Sequence, residues 1–293
     1  MNYKILKEMK ISDIIIGTDY YSTKYPDDTC CRMLDVYIEN GGSMIDTARL
    51  YCNGKSEEFI GRYLKSKKMS NRVFVATKAA HPPVGNMSQS RLSRDDIEAD
   101  VNLSLKALGI ECIDLLWLHR DDEALPVEPI IDTLQGLVKA GKIKHYGASN
   151  WRGKRIAEAN KYAHAISSEG FIASQIQWSL AKHNGSDDST LVIMNDEEYD
   201  FYKESKIPVF AFCSQAKGFF EKYAVNKLSE KARERFLNDD NIQMFEQLRK
   251  KSVQTGKTIS ALSLEYLTEN TDFDTFAIIG PSSVSQLKSS LNI

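Results

Sequence analysis

Three polar residues stand at the carboxyl ends of short apolar runs, and a tyrosine follows the first of them. Asp46 ends the run that contains Met44 and Ile45, Lys78 ends the run 72–78, and His119 ends the run 112–119. Tyr51 lies five residues after Asp46. A buried carboxylate is costly unless a cation pairs with it. We therefore expect Asp46 to pair with Lys78.

These four side chains could protonate an oxygen atom. A tyrosine hydroxyl, with an ordinary pKa of about 10, is a weak acid at neutral pH. A nearby ammonium such as Lys78 favours the phenolate and lowers that pKa, and Asp46 can hold the ammonium in place and charged. His119 can hydrogen-bond a substrate oxygen. The set is suited to protonating a carbonyl oxygen as the carbonyl is reduced.

Eight apolar runs are predicted as strands, and each is followed by a helical pattern. The strands are 11–17, the run ending at Asp46, 72–78, 112–119, 143–149, 171–178, 208–213 and 276–280. The helices are 27–40, 57–65, one from Ser93 to Gly109, 130–139, 155–163, 197–205, 228–255 continued by 260–267, and 284–291. This alternation predicts parallel strands joined by right-handed crossovers.

Eight such units in 293 residues predict a (β/α)8 barrel, with residues 1–293 forming a single domain. An open, doubly wound sheet is the alternative. That sheet favours a glycine fingerprint after its first strand, and the sequence there is Gly17-Thr18-Asp19-Tyr20. In a barrel the polar strand ends would meet at one mouth.

Composition narrows the class of protein. The net charge is −2, which gives no reason to expect a nucleic-acid or membrane partner. No apolar run approaches the roughly 18 residues of a membrane span, and residues 1–10 lack the apolar core of a signal peptide. The five cysteines form no C-x-x-C pair, and we expect no metal. These features predict a soluble, cytoplasmic protein.

Five motifs carry a resemblance that extends from about Ile11 to Leu291. They are D-T-A-x-x-Y at 46–51, N-G-x-S-E-x-x-x-G at 53–61, A-T-K at 76–78, D-L-x-x-x-H at 114–119 and G-x-S-N at 147–150. In these motifs the sequence resembles the aldo-keto reductase family. The resemblance implies that Tyr51 is the general acid, that Lys78 and Asp46 tune it, and that His119 orients the substrate.

The resemblance also implies an oxidoreductase that reduces an aldehyde or ketone to an alcohol, reversibly, with a nicotinamide cofactor that binds before the substrate. NADP(H) is expected rather than NAD(H). The implied cofactor contacts fall into four groups. They are Ser149, Asn150 and Gln175 at the carboxamide, Phe212 under the nicotinamide ring, Cys213, Ser214, Gln215, Lys217 and Gly218 along the pyrophosphate, and Gly280, Ser282 and Gln286 at the adenosine end.

The adenosine end departs from the family pattern. Many members have an arginine near Gln286 and an acid–asparagine pair near Ser289-Ser290, and this sequence has glutamine and two serines. Lys288 is the only cation in the predicted last helix. Little charge is therefore available there for a 2′-phosphate.

The substrate pocket is predicted from aromatic and histidine residues near the strand ends: Tyr20, Tyr21, His81, Trp151 and Trp178. A small-molecule carbonyl or alcohol is the expected substrate, and an open pocket is expected. One alternative function is a cofactor-binding sensor or regulatory subunit on the same fold. Another is a metal-dependent lyase or isomerase, which would need a cluster of inward His, Asp and Glu residues that the strand ends lack.

Overall fold

Eight parallel strands close into a barrel in chain order. The structure is a computed structural model, which describes residues 1–69, 72–185 and 188–293. The barrel strands are β3 (Ile14–Gly17), β4 (Met44–Asp46), β5 (Phe74–Ala79), β6 (Ile113–Leu118), β7 (Ile143–Ser149), β8 (Ser174–Gln177), β9 (Val209–Phe212) and β10 (Thr275–Ile279). β10 pairs with β3 in parallel and closes the ring, with Ile278 opposite Ile15. The predicted (β/α)8 barrel is confirmed.

Helices connect successive strands. They are α1 (Asp27–Glu39), α2 (Lys55–Lys67), α3 (Arg94–Leu108), α4 (Val127–Lys139), α5 (Gly153–Ala165), α6 (Asp196–Ser205), α7 (Phe219–Ala224), α8 (Glu230–Phe236), α9 (Asp239–Thr255), α10 (Ile259–Thr268) and α11 (Val284–Leu291). Ser93 is the N-cap of α3, because its hydroxyl accepts a hydrogen bond from the Asp96 N–H at 3.2 Å. No helix in the described part of the chain has the length and apolar character needed to cross a membrane.

An antiparallel hairpin precedes the barrel and was not predicted. It pairs β1 (Tyr3–Leu6) with β2 (Met9–Ser12). The predicted strand 11–17 is therefore wrong in its extent, because its first two residues belong to β2 and the chain breaks at buried Asp13, whose carboxylate accepts the Asn2 N–H at 3.1 Å. Leu6 and Met9 pack into the apolar cluster inside the barrel. The hairpin thus covers the end opposite the strand carboxyl termini.

Large aromatic side chains fill the barrel interior. Trp117 packs edge-on against Phe210, whose ring stacks on Phe276 with centroids 4.4 Å apart. Gly147 makes room for Trp117, since a Cβ at that position would lie 2.4 Å from the indole ring. The interior is a packed core, so a ligand must bind at the mouth.

The predicted helix 228–255 is wrong, because two helices occupy that stretch. α8 ends at Phe236 and α9 begins at Asp239. Asn238 separates them in extended conformation, and its side chain accepts the Asn241 N–H as the N-cap of α9. The short helix α7, after β9, was also not predicted. It matters for the site because it carries residues that face the mouth of the barrel.

Candidate active site

A cavity of about 930 Å³ opens at the carboxyl ends of the barrel strands. Asp46, Tyr51, Lys78 and His119 all line it, although they come from three different strand ends. The predicted cofactor residues line the same cavity, and they are Ser149, Asn150, Gln175, Phe212, Cys213, Ser214, Gln215, Lys217, Gly218, Gly280, Ser282 and Gln286. The barrel therefore brings these residues together around one space.

The predicted ion pair is present at the base of the cavity. Lys78 Nζ lies 2.5 Å from Asp46 Oδ2 and donates to the Thr47 carbonyl at 2.8 Å. Both side chains are almost fully buried. Burial acts to lower the pKa of the Lys78 ammonium, but Asp46 and Tyr51 together raise it above its ordinary value. Lys78 therefore stays charged.

Tyr51 begins a short 3-10 turn, Tyr51–Gly54, that connects the end of β4 to α2. Lys78 Nζ lies 4.8 Å from the centre of its ring. Burial raises the pKa of the Tyr51 phenol, Lys78 acts to lower it, and Asp46 and Asp19 add to the rise. Lys78 thus acts in the predicted direction, but desolvation outweighs it and the phenol keeps its proton at neutral pH.

His119 lies between Tyr51 and His81 at the cavity wall. Its ring centre is 6.0 Å from that of Tyr51 and 4.6 Å from that of His81. Burial, followed by the positive charges of Lys78 and Arg120, holds the pKa of His119 well below its ordinary value. The ring is therefore neutral. Its Nδ1 atom is buried and has no hydrogen-bond partner within the described residues.

Ser149, Asn150 and Gln175, the residues predicted to contact the cofactor carboxamide, already hydrogen-bond with other groups of the protein. Asn150 has a left-handed backbone (φ 58°), donates to Ser149 Oγ at 3.1 Å, and accepts the Val192 N–H at 3.2 Å. Gln175 Nε2 donates to Asp46 Oδ1 at 3.0 Å. This leaves the Ser149 hydroxyl hydrogen and the Gln175 carbonyl oxygen as the groups with capacity for a carboxamide.

The turn after β9 lines the cavity with Cys213, Ser214, Gln215, Lys217 and Gly218. Cys213, Ala216, Lys217 and Gly218 all have positive φ, from 46° to 77°. Successive free backbone N–H groups in a turn can form an anion-binding concavity. Here the N–H groups of Ala216 and Gly218 already donate within the turn, to the carbonyls of Cys213 and Gln215 at 2.7 Å. The Ser214 hydroxyl is used internally, because it donates to the Ile278 carbonyl at 2.6 Å. Burial raises the pKa of the Cys213 thiol, so the thiol stays neutral and would not repel an anion bound at this turn.

The part of the cavity predicted to hold the adenosine is polar, and its side chains hydrogen-bond with each other. Gln286 Oε1 accepts from both the N–H and the hydroxyl of Ser282 at 2.8 Å. Gln215 Nε2 donates to Ser290 Oγ at 3.1 Å. Lys288 is exposed and lies outside the cavity lining. The last helix therefore contributes no cation to the cavity.

Three lysines on other segments supply positive charge at the mouth. Lys24 and Lys222, which the sequence analysis missed, line the cavity together with Lys217. Lys222 Nζ donates to the Lys217 carbonyl at 2.6 Å, and Lys24 Nζ lies 4.8 Å from the Tyr20 ring centre. Partial desolvation and then the charges of the other two lysines lower the pKa of the largely exposed Lys222. No ion pair involves these three among the residues described.

Two carboxylates share that part of the wall. Asp19 follows β3, and Glu221 lies on α7. Glu221 Oε1 is engaged, because it accepts the Ser260 N–H at 3.0 Å. The lysines therefore outnumber the carboxylates here. Little in the sequence indicated that Lys222 would line the cavity, since Lys222 lies on a helix that was not predicted.

Arg120 is a further lining residue that the sequence analysis missed, although it directly follows His119. Its Nη1 donates to the His119 carbonyl at 2.8 Å, and its Nε donates to Thr190 Oγ1 at 3.0 Å. It therefore joins the strand end that carries His119 to the segment after β8. Leu191 of that segment also lines the cavity.

The predicted substrate pocket is only partly correct in its placement. Tyr20 and His81 line the cavity. Tyr21, Trp151 and Trp178 do not, and the prediction that they form the pocket wall is wrong. Their side chains are buried in packing, with Tyr21 against Phe59, Trp151 against Phe171, and Trp178 against Phe273. The left-handed backbone of Asn150 turns the chain just before Trp151.

Residues 1–69, 72–185 and 188–293 contain no group of three or more His, Cys, Asp or Glu side chains that could hold a metal ion.

The sequence profile of the Aldo/keto reductase family matches residues 13–293. This chain belongs to the aldo/keto reductase family. The match covers the barrel and every residue of the cavity wall described above. The resemblance inferred from the five motifs is therefore confirmed.

Several curated relatives of this family member carry reductase names. "Aldo-keto reductase str7" of Strobilurus tenacellus is 35% identical over 160 residues, which cover 55% of this chain and 44% of the relative. "Aldo-keto reductase yakc [NADP(+)]" of Schizosaccharomyces pombe is 38% identical over 41% of this chain and 36% of the relative. "Norsolorinic acid reductase B" of Dothistroma septosporum is 23% identical over 96% of this chain and 74% of the relative. The first two matches thus span less than half of each relative.

Proposed function

We propose that this aldo/keto reductase family member is an NAD(P)H-dependent oxidoreductase that reduces an aldehyde or ketone to an alcohol, and that the reaction is reversible. One observation carries the proposal. A protonated phenol, a buried Lys–Asp ion pair and a neutral histidine meet at the base of one cavity. Reductase names among the relatives support the same reaction class.

The side chains of the cavity have distinct parts in this reaction. The substrate oxygen lies between Tyr51 and His119, and the neutral imidazole holds it by a hydrogen bond. Tyr51 gives its proton to that oxygen as negative charge develops there. The Lys78 ammonium stabilises the resulting phenolate, and Asp46 keeps Lys78 charged and in place.

The cavity fits a nicotinamide cofactor. Its wall includes both the Ser149–Gln175 region and the turn of positive-φ residues after β9. When bound, the cofactor would supply the hydride to the carbonyl carbon. Ser149 and Gln175 would hold the carboxamide, Phe212 would lie against the ring, and the turn at 213–218 would hold the pyrophosphate.

NADP(H) is the preferred cofactor in this proposal. The last helix lacks the arginine expected in many members, but Lys24, Lys217 and Lys222 add three positive charges at the mouth. A 2′-phosphate adds about two negative charges to the cofactor, so a cationic mouth favours it over NAD(H). The relative named for NADP(+) is consistent with this preference.

The test of the proposal is a panel of aldehydes and ketones assayed with NADPH, using the wild-type chain and Tyr51→Phe. We expect turnover by the wild type and a loss of roughly 10²- to 10⁴-fold in kcat in the variant, the usual contribution of a general acid. NADPH affinity should change little, because the phenol ring remains. Tyr51→Phe turnover at the wild-type rate would contradict the role of Tyr51.

Cofactor binding is measured separately, by the change in NADPH and NADH fluorescence on titration with protein. Tryptophan quenching is a poorer probe, because Trp151 and Trp178 are buried away from the cavity. Tight NADPH binding without turnover of any carbonyl would favour the sensor function. Binding of neither dinucleotide would contradict the proposal.

A further inference from the structure

A buried ion pair lies behind Tyr51 and Lys78, outside the cavity lining. Arg49 Nη1 is 2.7 Å from Glu57 Oε2. The Glu57 side chain is fully buried and that of Arg49 is 17% exposed. Arg49 lies between Asp46 and Tyr51 in the chain, and Glu57 is on the first turn of α2. Neither residue touches the cavity.

The segment that carries Tyr51 wraps around the guanidinium of Arg49. Cys52 and Asn53 have left-handed backbones, with φ of 52° and 54°, and Gly54 has φ of 86°. The positive φ of Gly54 favours glycine, and a Cβ there would lie 1.1 Å from an Arg49 Nη atom and displace the guanidinium. The guanidinium therefore fills the inside of the turn that begins with Tyr51.

The other end of the pair reaches the strand that carries Lys78. Thr77 Oγ1 donates to Glu57 Oε1 at 2.7 Å, and the Arg49 backbone N–H donates to the Lys78 carbonyl at 3.0 Å. Burial raises the pKa of the Glu57 carboxyl, and contacts with Ser104, Thr77 and Arg49 oppose that rise. One buried carboxylate thus contacts both Arg49 and the residue that precedes Lys78.

We propose that the Arg49–Glu57 ion pair is a positioning device, which sets the separation between the Tyr51 phenol and the Lys78 ammonium. This inference rests on the proposed function. Catalytic groups must be held within a fraction of an ångström, because a misplacement of 1 Å can lower the rate about 10²-fold. A buried ion pair next to both groups can supply that precision. Arg49 and Glu57 are positioning residues, since neither touches the substrate.

A role for the Arg49–Glu57 pair also accounts for the motif at 53–61, whose residues take no part in the proposed chemistry. Gly54 makes room for Arg49, as above. The Ser56 hydroxyl donates to the Thr18 carbonyl at 2.8 Å and ties α2 to the loop after β3. Gly61 lets α2 approach α3, since a Cβ there would lie 2.6 Å from the Leu108 carbonyl oxygen. The motif therefore fixes α2, and with it Glu57, against the barrel.

The experiment compares Arg49→Met, Glu57→Gln and the double variant with the wild type. We expect kcat to fall by about 10²-fold in each single variant, while the Kd for NADPH changes less than about twofold. If the two residues act as one unit, the double variant should lose no more than either single variant. Arg49→Lys, which restores a cation opposite Glu57, should recover part of kcat.

A control variant tests whether any loss of packing on α2 has the same effect. Asp35→Asn removes the carboxylate that Lys67 contacts at 2.8 Å and Tyr63 at 2.8 Å, at the opposite end of the same helix. It should lower Tm but leave kcat at the wild-type level. Equal losses of kcat in Asp35→Asn and Arg49→Met, or a wild-type kcat in folded Arg49→Met, would overturn the positioning role.

A titration that needs no turnover separates this inference from the proposed function. The absorbance of tyrosinate is followed against pH, and the curve of the corresponding Tyr51→Phe protein is subtracted. In Arg49→Met we expect the pKa of Tyr51 to rise further, because the Lys78 ammonium that lowers it is no longer held nearby. An unchanged Tyr51 curve would overturn the inference, whereas absence of wild-type turnover with a shifted curve would count against the proposed function alone.

Discussion

The two ends of the cavity are built differently. At the base, Lys78 and Asp46 are 1% and 3% exposed, sit on strands, and pair with each other. At the mouth, Lys217 and Lys222 are exposed, sit on a turn and a short helix, and form no ion pair with any residue that the structure describes. Buried charges are costly to separate, whereas exposed charges contribute little to stability. Under the proposed function, changes at the base should therefore lower both turnover and stability, whereas changes at the mouth should affect cofactor binding alone.

The largest effect is expected at the base, from Lys78→Met. This change leaves the Asp46 carboxylate buried without its cation, which we expect to cost about 3–5 kcal/mol in the free energy of unfolding. Turnover should fall by about 10³-fold, because nothing then stabilises the phenolate. Denaturant unfolding and steady-state kinetics measure the two losses.

The double variant Lys78→Met/Asp46→Asn is the control for this prediction. It removes both charges, so it should regain much of the stability but none of the turnover. If the double variant is less stable than Lys78→Met, desolvation of an unpaired carboxylate is not the cause of the loss.

A smaller effect, confined to cofactor binding, is expected at the mouth. Lys217→Gln/Lys222→Gln should raise the Kd for NADPH by about tenfold, a loss of about 1.4 kcal/mol. The Kd for NADH should rise less, because it carries less negative charge. Fluorescence titration at several salt concentrations measures both, and the variant should show a weaker salt dependence than the wild type.

Stability and turnover at saturating cofactor should not change in that variant. Lys288→Gln, which removes a cation outside the cavity, is the matched control and should bind both dinucleotides as the wild type does. A lower Tm in the double lysine variant would contradict the expectation that the charges at the mouth, unlike those at the base, do not contribute to stability.

A further change adds charge at the adenosine end. Gln286→Arg places a cation where many family members have one, but it also removes the acceptor for the Ser282 N–H and hydroxyl. We expect the preference for NADPH over NADH to increase by about threefold, the scale of one exposed ion pair. A fall in that preference would show that the Gln286–Ser282 contacts matter more than charge.

The smallest effect is expected in the pH profile of kcat for reduction. The pKa of His119 is lowered, so its neutral form persists and no inflection should appear near the ordinary value of about 6.5. The pKa of Tyr51 is raised, so the protonated acid persists through neutral pH and is lost only as pH rises through the folded-state pKa. An inflection between pH 6 and 7 that disappears in His119→Asn would contradict the neutral histidine.

The barrel and the base of its cavity could be predicted from the sequence because both depend on residues at strand ends. Asp46, Lys78 and His119 each end an apolar run, and parallel strands in a barrel present their carboxyl ends at one mouth. Such residues therefore lie close together regardless of the conformation of the connecting loops.

Loops and turns account for what could not be predicted. Trp151 follows a strand end, but the left-handed Asn150 directs the chain so that its indole packs against Phe171. Lys222 reaches the mouth only because the turn after β9 leads into α7, a helix of six residues with little periodicity to reveal it. In both cases the deciding quantity is a backbone dihedral that residue type does not specify.

Closure of the barrel also has a consequence for how the chain is made. Ile14 of β3 pairs with Ala277 of β10, about 260 residues away. At roughly 5–20 residues per second, a ribosome needs about 13 to 50 seconds to produce that partner. Through this interval the edge of β3 has no neighbour on one side, and an unpaired edge invites association with other chains. The nascent chain thus carries an unpaired barrel edge until its last barrel strand emerges.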